Sequence, residues 1–573
     1  MAVRDILDGK LPLPIGKSDW EYVAAHNYCV DKTLFIRDLL ASDAGVALFT
    51  RPRRFGKTTA MQMLKCFFEK RGEGEPSVRH LFESRKIAKC AGAKEWMSHQ
   101  GRYPVIYLTF KDHKALTWES AQYSLRADIG NELARHLEIV ESLSLPAEKK
   151  LFERIANRES TMEELSQALG LLARALHVHH GEKPIVLIDE YDSPINSAST
   201  YGYYDEMVSF MRAFLPGAMK DNNHVRMGVM TGVLRVAKEG ILSGLNNLRV
   251  HTVFDEKFSD AFGFTEAEVE EIARYYGCED KIPEIKSWYD GYDFGGREMY
   301  NPWSVLYYFD NNCKPQAYWL DTSSNDLINE LVEKLPFDMV DTLESLLKGE
   351  GVIVPMTAEL GPYQYIRDQA DTLYALLVST GYLKPVGDIV NGRCEVKLPN
   401  RELETVFKAD VLRKLRRSAS GGRALSLVEN AFFRRSAVEF KEHVEQFLLE
   451  SASYFDASAE GFYHGLVLGM LSFMRNVYVI SSNRESGYGR FDIVLKPRPE
   501  RRDFPAVVIE VKAAKDGGDD LDELAAEARK QIDEKGYAAS LETEGITDIM
   551  KFGYAFFGKK SAICKDTQQG EKQ

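Results

Sequence analysis

Short apolar runs alternate with helical patterns along the first half of the chain. Continuous apolar residues bounded by polar ones are typical of buried strands, and they predict strands over 45–50, 105–110, 184–188 and 225–231. Between the first two runs, residues 57–70 have helical composition, with Met61, Leu64 and Phe68 on one side. Strands that alternate with helices indicate a parallel sheet covered by helices on both faces.

The apolar pattern changes character beyond residue 255. Residues 256–435 are mixed and mainly helical, and Asn301-Pro302 is a typical helix start because Asn caps a first turn and Pro fits its first position. After a helix-rich opening, the last part of the chain alternates strand, helix and strand patterns, which is typical of a small α/β domain. We therefore predict domains over 1–255, 256–435 and 436–573.

The composition of the chain limits the kind of protein that it forms. At 573 residues it exceeds one compact core, and 44% hydrophobic with 28% charged residues is typical of a soluble protein. The net charge of −13 argues against a uniformly basic nucleic-acid surface but permits a local basic groove. Seven cysteines without a C-x-x-C pair fit a reducing compartment. Because the N-terminus lacks a secretory apolar run and no later stretch is long enough to cross a bilayer, we expect a cytoplasmic protein with no membrane partner.

Gly56-Lys57-Thr58 lies between a strand pattern and a helix pattern, where a phosphate-binding loop is required. Such a loop surrounds phosphates with backbone N–H groups, its Lys contacts the β- and γ-phosphates, and its Ser or Thr holds Mg²⁺. The first glycine of the usual loop is replaced by Arg51, and Pro52 removes one N–H donor. The candidate nucleotide-binding residues in this segment are Arg54, Gly56, Lys57, Thr58 and Thr59.

Polar residues at the ends of two later strands strengthen the prediction of a nucleotide site. Asp189 and Glu190 follow an apolar run, as a magnesium-positioning acid and a water-activating glutamate do. Thr231 ends another strand and can sense the γ-phosphate, while Arg235 can face it in cis or from a neighbour in a homo-oligomer. The alternative is a Rossmann-like sheet whose strand ends happen to be acidic. We favour binding of ATP and Mg²⁺, and the altered loop leaves binding without rapid hydrolysis open.

Two carboxylates and a lysine form a second candidate site near the C-terminus. Glu510 and Lys512 are two residues apart, so on a strand they project from the same face, and a charge-rich loop lets Asp492 return across from Glu510. Adjacent carboxylates repel unless a cation lies between them, so we predict Mg²⁺ at Asp492 and Glu510, with Lys512 beside the attacked phosphate. Gln531 on the following helix can reach this site, and Glu460 can add a metal ligand. The alternative is a solvated Glu–Lys pair on an exposed strand.

Motifs spread in order over most of the chain resemble those of one family of proteins. They are YCVDKT (28–33), RPRRFGKT (51–58), LIDEYDSP (187–194), TGVLR (231–235), GLNNL (244–248), WYDGY (288–292), FYHG (462–465), NRESGYGR (483–490) and IEVK (509–512). The chain resembles prokaryotic proteins in which an AAA-ATPase-like domain precedes a PD-(D/E)XK-superfamily nuclease domain.

The resemblance implies an α/β fold with three parts: a P-loop NTPase-like parallel sheet with flanking helices, a mainly helical middle region, and a restriction-endonuclease-like C-terminal domain. It also implies that Asp492, Glu510 and Lys512 carry the nuclease motif, and that this family uses the loop form found at 51–58.

Together these sites predict a metal-dependent nuclease that is gated or driven by an ATPase domain. Its expected partner is nucleic acid, with DNA favoured over RNA. The alternative, from another class, is a nucleotide-dependent switch or scaffold whose nuclease-like domain binds nucleic acid or protein without cleavage.

Three further segments, outside these two sites, also lead to expectations. The histidines at 177–180 are interpreted as a helix end, where His suits the dipole and Gly181 caps the helix. The basic run 413–435 fits phosphate contacts and a solvated helix face equally well. For 288–292 we favour packing between domains over stacking on a base.

Overall fold

A computed structural model describes residues 10–42, 44–72, 74–235, 247–319, 345–346, 349–356, 370–405, 431–451, 460–471, 474, 477–486, 489–514 and 519–565. Within these ranges the backbones of Glu460 and Asp492 are described but their side chains are not. The chain forms two compact units, Met1–Leu331 with Gly351–Val406, and Val332–Glu350 with Phe407–Gln573.

Helices of the first unit surround its sheets. The α-helices are Trp20–His26, Leu34–Ala41, Lys57–Phe68, His80–Glu83, Ala93–Met97, Trp118–Ala134, Pro146–Ala156, Met162–Leu165, Ala168–His180, Ser193–Tyr201, Tyr204–Phe214, Pro216–Met219, Glu266–Tyr276, Ile282–Tyr289, Pro302–Asp310 and Ala370–Thr380. Short 3₁₀ turns are Lys86–Ala88, Leu137–Ser142 and Glu279–Lys281.

A five-stranded parallel sheet forms the centre of the first unit. Its strands are β1 (Val46–Thr50), β2 (Val105–Thr109), β3 (Ile185–Asp189), β4 (Met227–Gly232) and β5 (Leu248–His251), in the order β2-β3-β4-β1-β5. The predicted parallel sheet with flanking helices is confirmed, while β5 is an additional strand. The neighbouring strands β3, β4 and β1 are parallel, so their carboxyl ends lie at the same edge of the sheet. Ligands bind at this edge in such sheets.

The helix Lys57–Phe68, which we call the P-loop helix, follows β1 directly. Met61, Leu64 and Phe68 of its inner face are fully buried in the main apolar cluster of the unit. The helix ends at Phe68, because the backbone of Glu69 is extended and does not continue it. The buried inner face of the helix keeps its amino end at the carboxyl edge of the sheet.

Beyond β5, the first unit continues as a mainly helical region with small antiparallel sheets, as expected for the middle of the chain. The strands are β6 (Tyr292–Phe294), β7 (Arg297–Met299), β8 (Val352–Pro355), β9 (Lys384–Val390) and β10 (Arg393–Lys397). Asn301 starts the helix Pro302–Asp310 as predicted, and its Oδ1 accepts a hydrogen bond from Trp303 N at 2.9 Å. Tyr289 of the 288–292 motif is buried in an aromatic cluster with Tyr308 and Tyr318, so it packs within the first unit, and the predicted packing between domains stays a prediction.

The second unit contains a five-stranded mixed sheet. Its strands are β11 (Tyr478–Ser486), β12 (Gly489–Pro497), β13 (Ala506–Ala513), β14 (Ile549–Phe557) and β15 (Lys560–Lys565), in sequential order. The β13–β14 pair is parallel and the others are antiparallel. Its helices are Ala437–Ser451, Glu460–Leu471, Leu521–Glu534 and Ala539–Thr543, with a 3₁₀ turn at Pro499–Arg501.

Helices cover both faces of this sheet. Val507, Ile509 and Val511 of β13 pack in one apolar cluster with the helices Ala437–Ser451 and Glu460–Leu471. The alternate residues of β13 face the helix Leu521–Glu534, which we call the crossover helix because it connects the parallel strands β13 and β14. The alternation predicted for β13 from the sequence is therefore present.

The structure also bears on the histidines at 177–180 and on the basic run 413–435. The helix Ala168–His180 ends on its three histidines and is capped by Gly181, whose φ of 69° is left-handed, so the helix-end interpretation is confirmed. Most of the basic run 413–435 lies outside the described residues. Within the described residues, no helix combines the length and the apolar character needed to cross a membrane.

Gly553 of β14 permits the close approach of the crossover helix to the sheet. A Cβ atom at this position would lie 2.0 Å from the carbonyl oxygen of Ala525 and 2.3 Å from the backbone N of Arg529. Because both atoms belong to helix backbone, the helix itself would have to move.

We predict that Gly553→Ala destabilises the second unit by about 1–3 kcal/mol or more, since overpacking against backbone is poorly relieved. Calorimetry of the full chain should show a lower unfolding temperature for that unit. Gly465→Ala is the matched control, because Gly465 is exposed on a helix and its added Cβ would meet nothing within 4 Å. Equal unfolding temperatures for Gly553→Ala and the wild type would contradict this account.

Candidate functional site

A cavity of about 330 Å³ opens at the carboxyl edge of the parallel sheet, above the amino end of the P-loop helix. The predicted residues Arg54, Gly56, Lys57, Thr58, Thr59 and Glu190 line it. Further lining comes from the segment 14–18 and from Pro302, Trp303, Leu306 and Tyr307. Residues of the loop 51–58, acidic residues and aromatic rings therefore surround one space.

Asp189 joins the polar ends of the central strands beneath this cavity. Its Oδ2 accepts a hydrogen bond from Thr58 Oγ1 at 2.7 Å, and its Oδ1 accepts one from Thr231 Oγ1 at 2.6 Å. Asp189 and Thr231 are fully buried. Strand order explains the contact. The strand β4, which carries Thr231, pairs on one side with β3, which ends at Asp189, and on the other with β1, which precedes the P-loop helix.

Lys57 points its amine into the loop that precedes it. Nζ donates hydrogen bonds to the carbonyl oxygens of Arg51 at 3.1 Å and Pro52 at 2.9 Å. Burial lowers the pKa of Lys57, and the carboxylates of Glu190, Asp192 and Asp189 oppose that shift. The ammonium group is thus held at the cavity, close to three carboxylates.

Arg51, which replaces the usual first glycine, is a structural residue. Its side chain is completely buried, and its guanidinium donates to the carbonyl oxygens of Thr50 and His251 at 2.9 Å each and Phe258 at 3.1 Å. Desolvation by burial lowers the pKa of Arg51 to about 10. The side chain ties the end of β1 to the end of β5 and to the segment that follows it, so the loop is held in place by a cation instead of a glycine turn.

Two acids beyond Asp189 differ in role. Glu190 lines the cavity with a left-handed backbone φ of 53°, and burial raises the pKa of its carboxyl. Asp192 accepts hydrogen bonds from the backbone N of Val233 at 3.0 Å and Leu234 at 2.9 Å. Both acids line the cavity and can face a ligand, and Asp192 in addition holds the turn after β4. Asp192 was not predicted as a site residue, although it lies in the acidic motif 187–194.

Residues outside the P-loop motif complete the cavity. The guanidinium carbon of Arg54 lies 3.9 Å from the centre of the Trp303 ring, and Arg54 has a left-handed φ of 69°. Trp303 belongs to the helix Pro302–Asp310, here called the wall helix, and the sequence analysis assigned it no functional role. Its position depends on contacts between distant parts of the chain, so no local pattern could have revealed it.

Arg235 is a predicted site residue for which the described residues show no contact with the Thr58–Asp189–Thr231 group or place in the cavity lining. It is half-buried and is the last described residue before 247, and the described lining of the cavity does not include it. A role for Arg235 at the γ-phosphate stays a prediction.

In the second unit, Glu510 lies on β13 at the face covered by the crossover helix. Its side chain is 6% exposed, and its Oε1 accepts a hydrogen bond from Gln531 Nε2 at 2.5 Å. Gln531 Nε2 also lies 3.5 Å from the hydroxyl of Tyr537, a buried residue that the sequence analysis did not single out. Lys512 follows on the same face and is half-buried. The structure therefore brings Gln531 to Glu510, as predicted, and disfavours a solvated strand.

The strand register brings the backbone of Asp492 next to that of Glu510. Ile493 pairs with Ile509 in the antiparallel β12–β13 ladder, so Asp492 and Glu510 are the next positions on the two strands. Glu460 is the first residue of the helix Glu460–Leu471. The predicted metal ligation by Asp492 and Glu460 involves side chains outside the described residues.

Oxygen donors at both sites fit Mg²⁺, which prefers carboxylate and hydroxyl oxygens. In the first unit Thr58 Oγ1 and Asp189 Oδ2 lie 2.7 Å apart beside the cavity, which suits either direct or water-mediated coordination. In the second unit the buried Glu510 carboxylate is the described donor. Among the side chains that the structure describes, no three His, Cys, Asp or Glu residues cluster as metal ligands.

The order of the parallel sheet and the Thr58–Asp189–Thr231 contact define a P-loop NTPase-like unit, and the mixed sheet with Glu510 and Lys512 defines a nuclease-like unit. Residues 14–242 match the family model described as predicted AAA-ATPase, and residues 458–566 match that of the PD-(D/E)XK nuclease superfamily. The chain therefore carries an AAA-ATPase-like domain and a C-terminal domain of the PD-(D/E)XK nuclease superfamily.

Individual proteins similar to this chain come from a bacterium and an archaeon. An uncharacterized protein in the vnfD 5′ region of Azotobacter chroococcum mcd 1 is 27% identical over 418 residues, which is 71% of each chain. A solved signal-transduction ATPase with numerous domains and a tetratricopeptide repeat sensor, from Pyrococcus horikoshii, is 12% identical with a TM-score of 0.21. That match covers 82% of this chain, and the chain spans 58% of the length of that structure.

Replacing Arg51 with the glycine that is usual in phosphate-binding loops should lower the stability of the protein. We predict that Arg51→Gly destabilises the first unit by about 3 kcal/mol, because buried carbonyl oxygens lose a charged donor. Chemical denaturation measures the change. As a control, Arg79→Gly alters a side chain that is 64% exposed at a helix N-cap, where Gly is tolerated. A stability of Arg51→Gly equal to the wild type would overturn the structural role of Arg51.

Proposed function

We propose that the first unit binds ATP with Mg²⁺ in the cavity above the P-loop helix. The observation that carries this proposal is the double contact of Asp189 with Thr58 and Thr231, at 2.7 and 2.6 Å. Thr58 and Asp189 would hold Mg²⁺, which when bound neutralises phosphate charge. Lys57 contributes a positive charge for the β- and γ-phosphates, and Thr231 orients the Asp189 carboxylate.

Hydrolysis of ATP belongs to the same proposal. Glu190 lies at the cavity with a pKa raised by burial, so its carboxyl can accept a proton from an attacking water more readily than an ordinary glutamate. Its left-handed backbone turns the side chain out of the strand direction. Glu190 is thus the proposed general base, and Thr58 and Lys57 are proposed binding residues.

The proposed activity of the second unit is cleavage of phosphodiester bonds in nucleic acid, with DNA as the favoured substrate. Glu510 and Asp492 would hold a divalent ion, which when bound polarises the scissile phosphate. Gln531 orients the Glu510 carboxylate by donating to Oε1. Lys512 positions the attacking water or offsets charge that develops on the phosphate. Nucleotide binding in the first unit is proposed to control this cleavage.

The ATP proposal predicts that Lys57→Ala weakens ATP binding at least about tenfold, since a charged contact to phosphate is lost. Isothermal titration calorimetry of the full chain with ATP and Mg²⁺ measures this. Lys65→Ala is the matched control because Lys65 lies on the same helix but not among the lining residues of the cavity. If Lys57→Ala and the wild type bind ATP equally, this cavity is not the phosphate site.

The nuclease proposal predicts that Glu510→Gln lowers cleavage by about 100-fold or more while nucleic-acid binding persists. Plasmid, single-stranded DNA and RNA are incubated with the full chain, with Mg²⁺ or EDTA and with or without ATP. Glu527→Gln, exposed on the crossover helix, is the matched control.

The outcomes separate the proposals. Cleavage that Glu510→Gln leaves intact excludes this site. Mg²⁺-independent binding without cleavage by the wild type favours a nucleotide-dependent scaffold. Cleavage that persists in Lys57→Ala excludes nucleotide control but leaves the nuclease assignment intact.

A further inference from the structure

A buried carboxyl lies behind the wall helix, outside both segments that match family models. Glu402 is completely buried, and its Oε1 accepts hydrogen bonds from Ser304 Oγ and from the backbone N of Trp319, each at 3.0 Å. Burial raises the pKa of Glu402 to about 7. An acid in such a place is costly, so it needs a specific reason to be there.

Glu402 is itself held in a fixed position. It lies on the helical residues 401–405, whose start is capped by Asn400: Oδ1 accepts from Leu403 N at 3.1 Å. The amide of Asn400 also donates to the carbonyl oxygen of Asp290 at 2.8 Å. Among the described residues, Tyr289, Tyr292 and Tyr318 interact with the Glu402 carboxyl, and burial raises the pKa of each of these tyrosines.

The wall helix transmits this contact to the nucleotide cavity. Ser304 and Trp303 are consecutive, so their side chains leave the helix about 100° apart. Ser304 faces Glu402, while Trp303 lines the cavity beneath the Arg54 guanidinium at 3.9 Å. One turn of helix thus contacts the buried carboxyl on one side and the P-loop on the other.

We propose that Glu402 is a positioning residue for the nucleotide site: by holding Ser304 it keeps Trp303 against Arg54, a P-loop side chain that lines the cavity. The proposal rests on nucleotide binding in this cavity. A residue far along the chain, and not part of the P-loop motif, thereby sets the affinity for ATP.

The first test compares ATP affinity, measured by titration calorimetry with Mg²⁺, for the full-length wild type, Glu402→Ala and Glu402→Gln. Glu402→Ala is expected to weaken binding about five- to tenfold. Glu402→Gln keeps an oxygen that accepts from Ser304 and Trp319 and resembles the protonated acid, so it should bind within about twofold of the wild type. Glu404→Gln, half-buried on the same helical turn, is the matched control and should bind like the wild type.

A double-mutant cycle separates positioning from general loss of stability. If Glu402 acts through Trp303 and Arg54, Glu402→Ala should cost less than about twofold in affinity when Arg54 is already Ala. An undiminished cost in that background overturns the proposal, as does failure of Glu402→Gln to restore binding. Should Glu402→Ala not fold, Ser304→Ala, which removes one hydroxyl, replaces it in the same cycle.

Failure of this proposal is distinguishable from failure of ATP binding itself. If the wild type does not bind ATP, or binds it no better than Lys57→Ala, the assignment of the cavity is wrong. If Lys57→Ala loses binding while Glu402→Ala retains wild-type affinity, the cavity stands and only the positioning role of Glu402 is overturned.

Discussion

The buried guanidinium of Arg51 determines much of the arrangement of the first unit. Removing a cation from water is among the larger unfavourable terms in folding, and here it is offset by carbonyl oxygens of Thr50, His251 and Phe258. These acceptors belong to β1, to the end of β5 and to the segment after it, which must therefore meet at one place. The phosphate-binding loop starts at that point, so its geometry depends on the parts of the chain that follow the parallel sheet.

Electrostatic constraints of the same kind occur throughout the molecule. The Asp189 carboxylate accepts hydrogen bonds from the hydroxyls of Thr58, Thr109 and Thr231, and the Glu510 carboxylate accepts one from the amide of Gln531. In each case neutral groups of the protein donate hydrogen bonds to a buried acid and fix the direction of its carboxylate oxygens. Carboxylate oxygens held in this way are ligands of the kind that Mg²⁺ prefers.

Periodicity allowed much of the fold to be predicted from the sequence. The strands β1 to β4 are apolar runs whose residues are mostly buried, and β13 begins with six consecutive buried residues, so local patterns of apolar residues indicated these strands. The strand β5 escaped prediction because it has four residues, of which Arg249 is exposed. The approach of Gln531 to Glu510 followed from the order of strand and helix. The burial of Arg51 and the cavity-facing side of Trp303 did not, since both depend on partners 200 or more residues away in the sequence.

The contact between Pro52 and Gly381 has a consequence for how the first unit can be divided. Gly381 has a left-handed φ of 87°, and a Cβ at this position would lie 2.9 Å from Pro52 Cβ, so the turn after Ala370–Thr380 rests directly on the phosphate-binding loop. A proteolytic fragment ending near residue 242, where the ATPase family match stops, would leave that face of the loop bare. A fragment that keeps this face of the loop covered as in the full chain therefore extends past Gly381, well beyond the residue at which the ATPase family match ends.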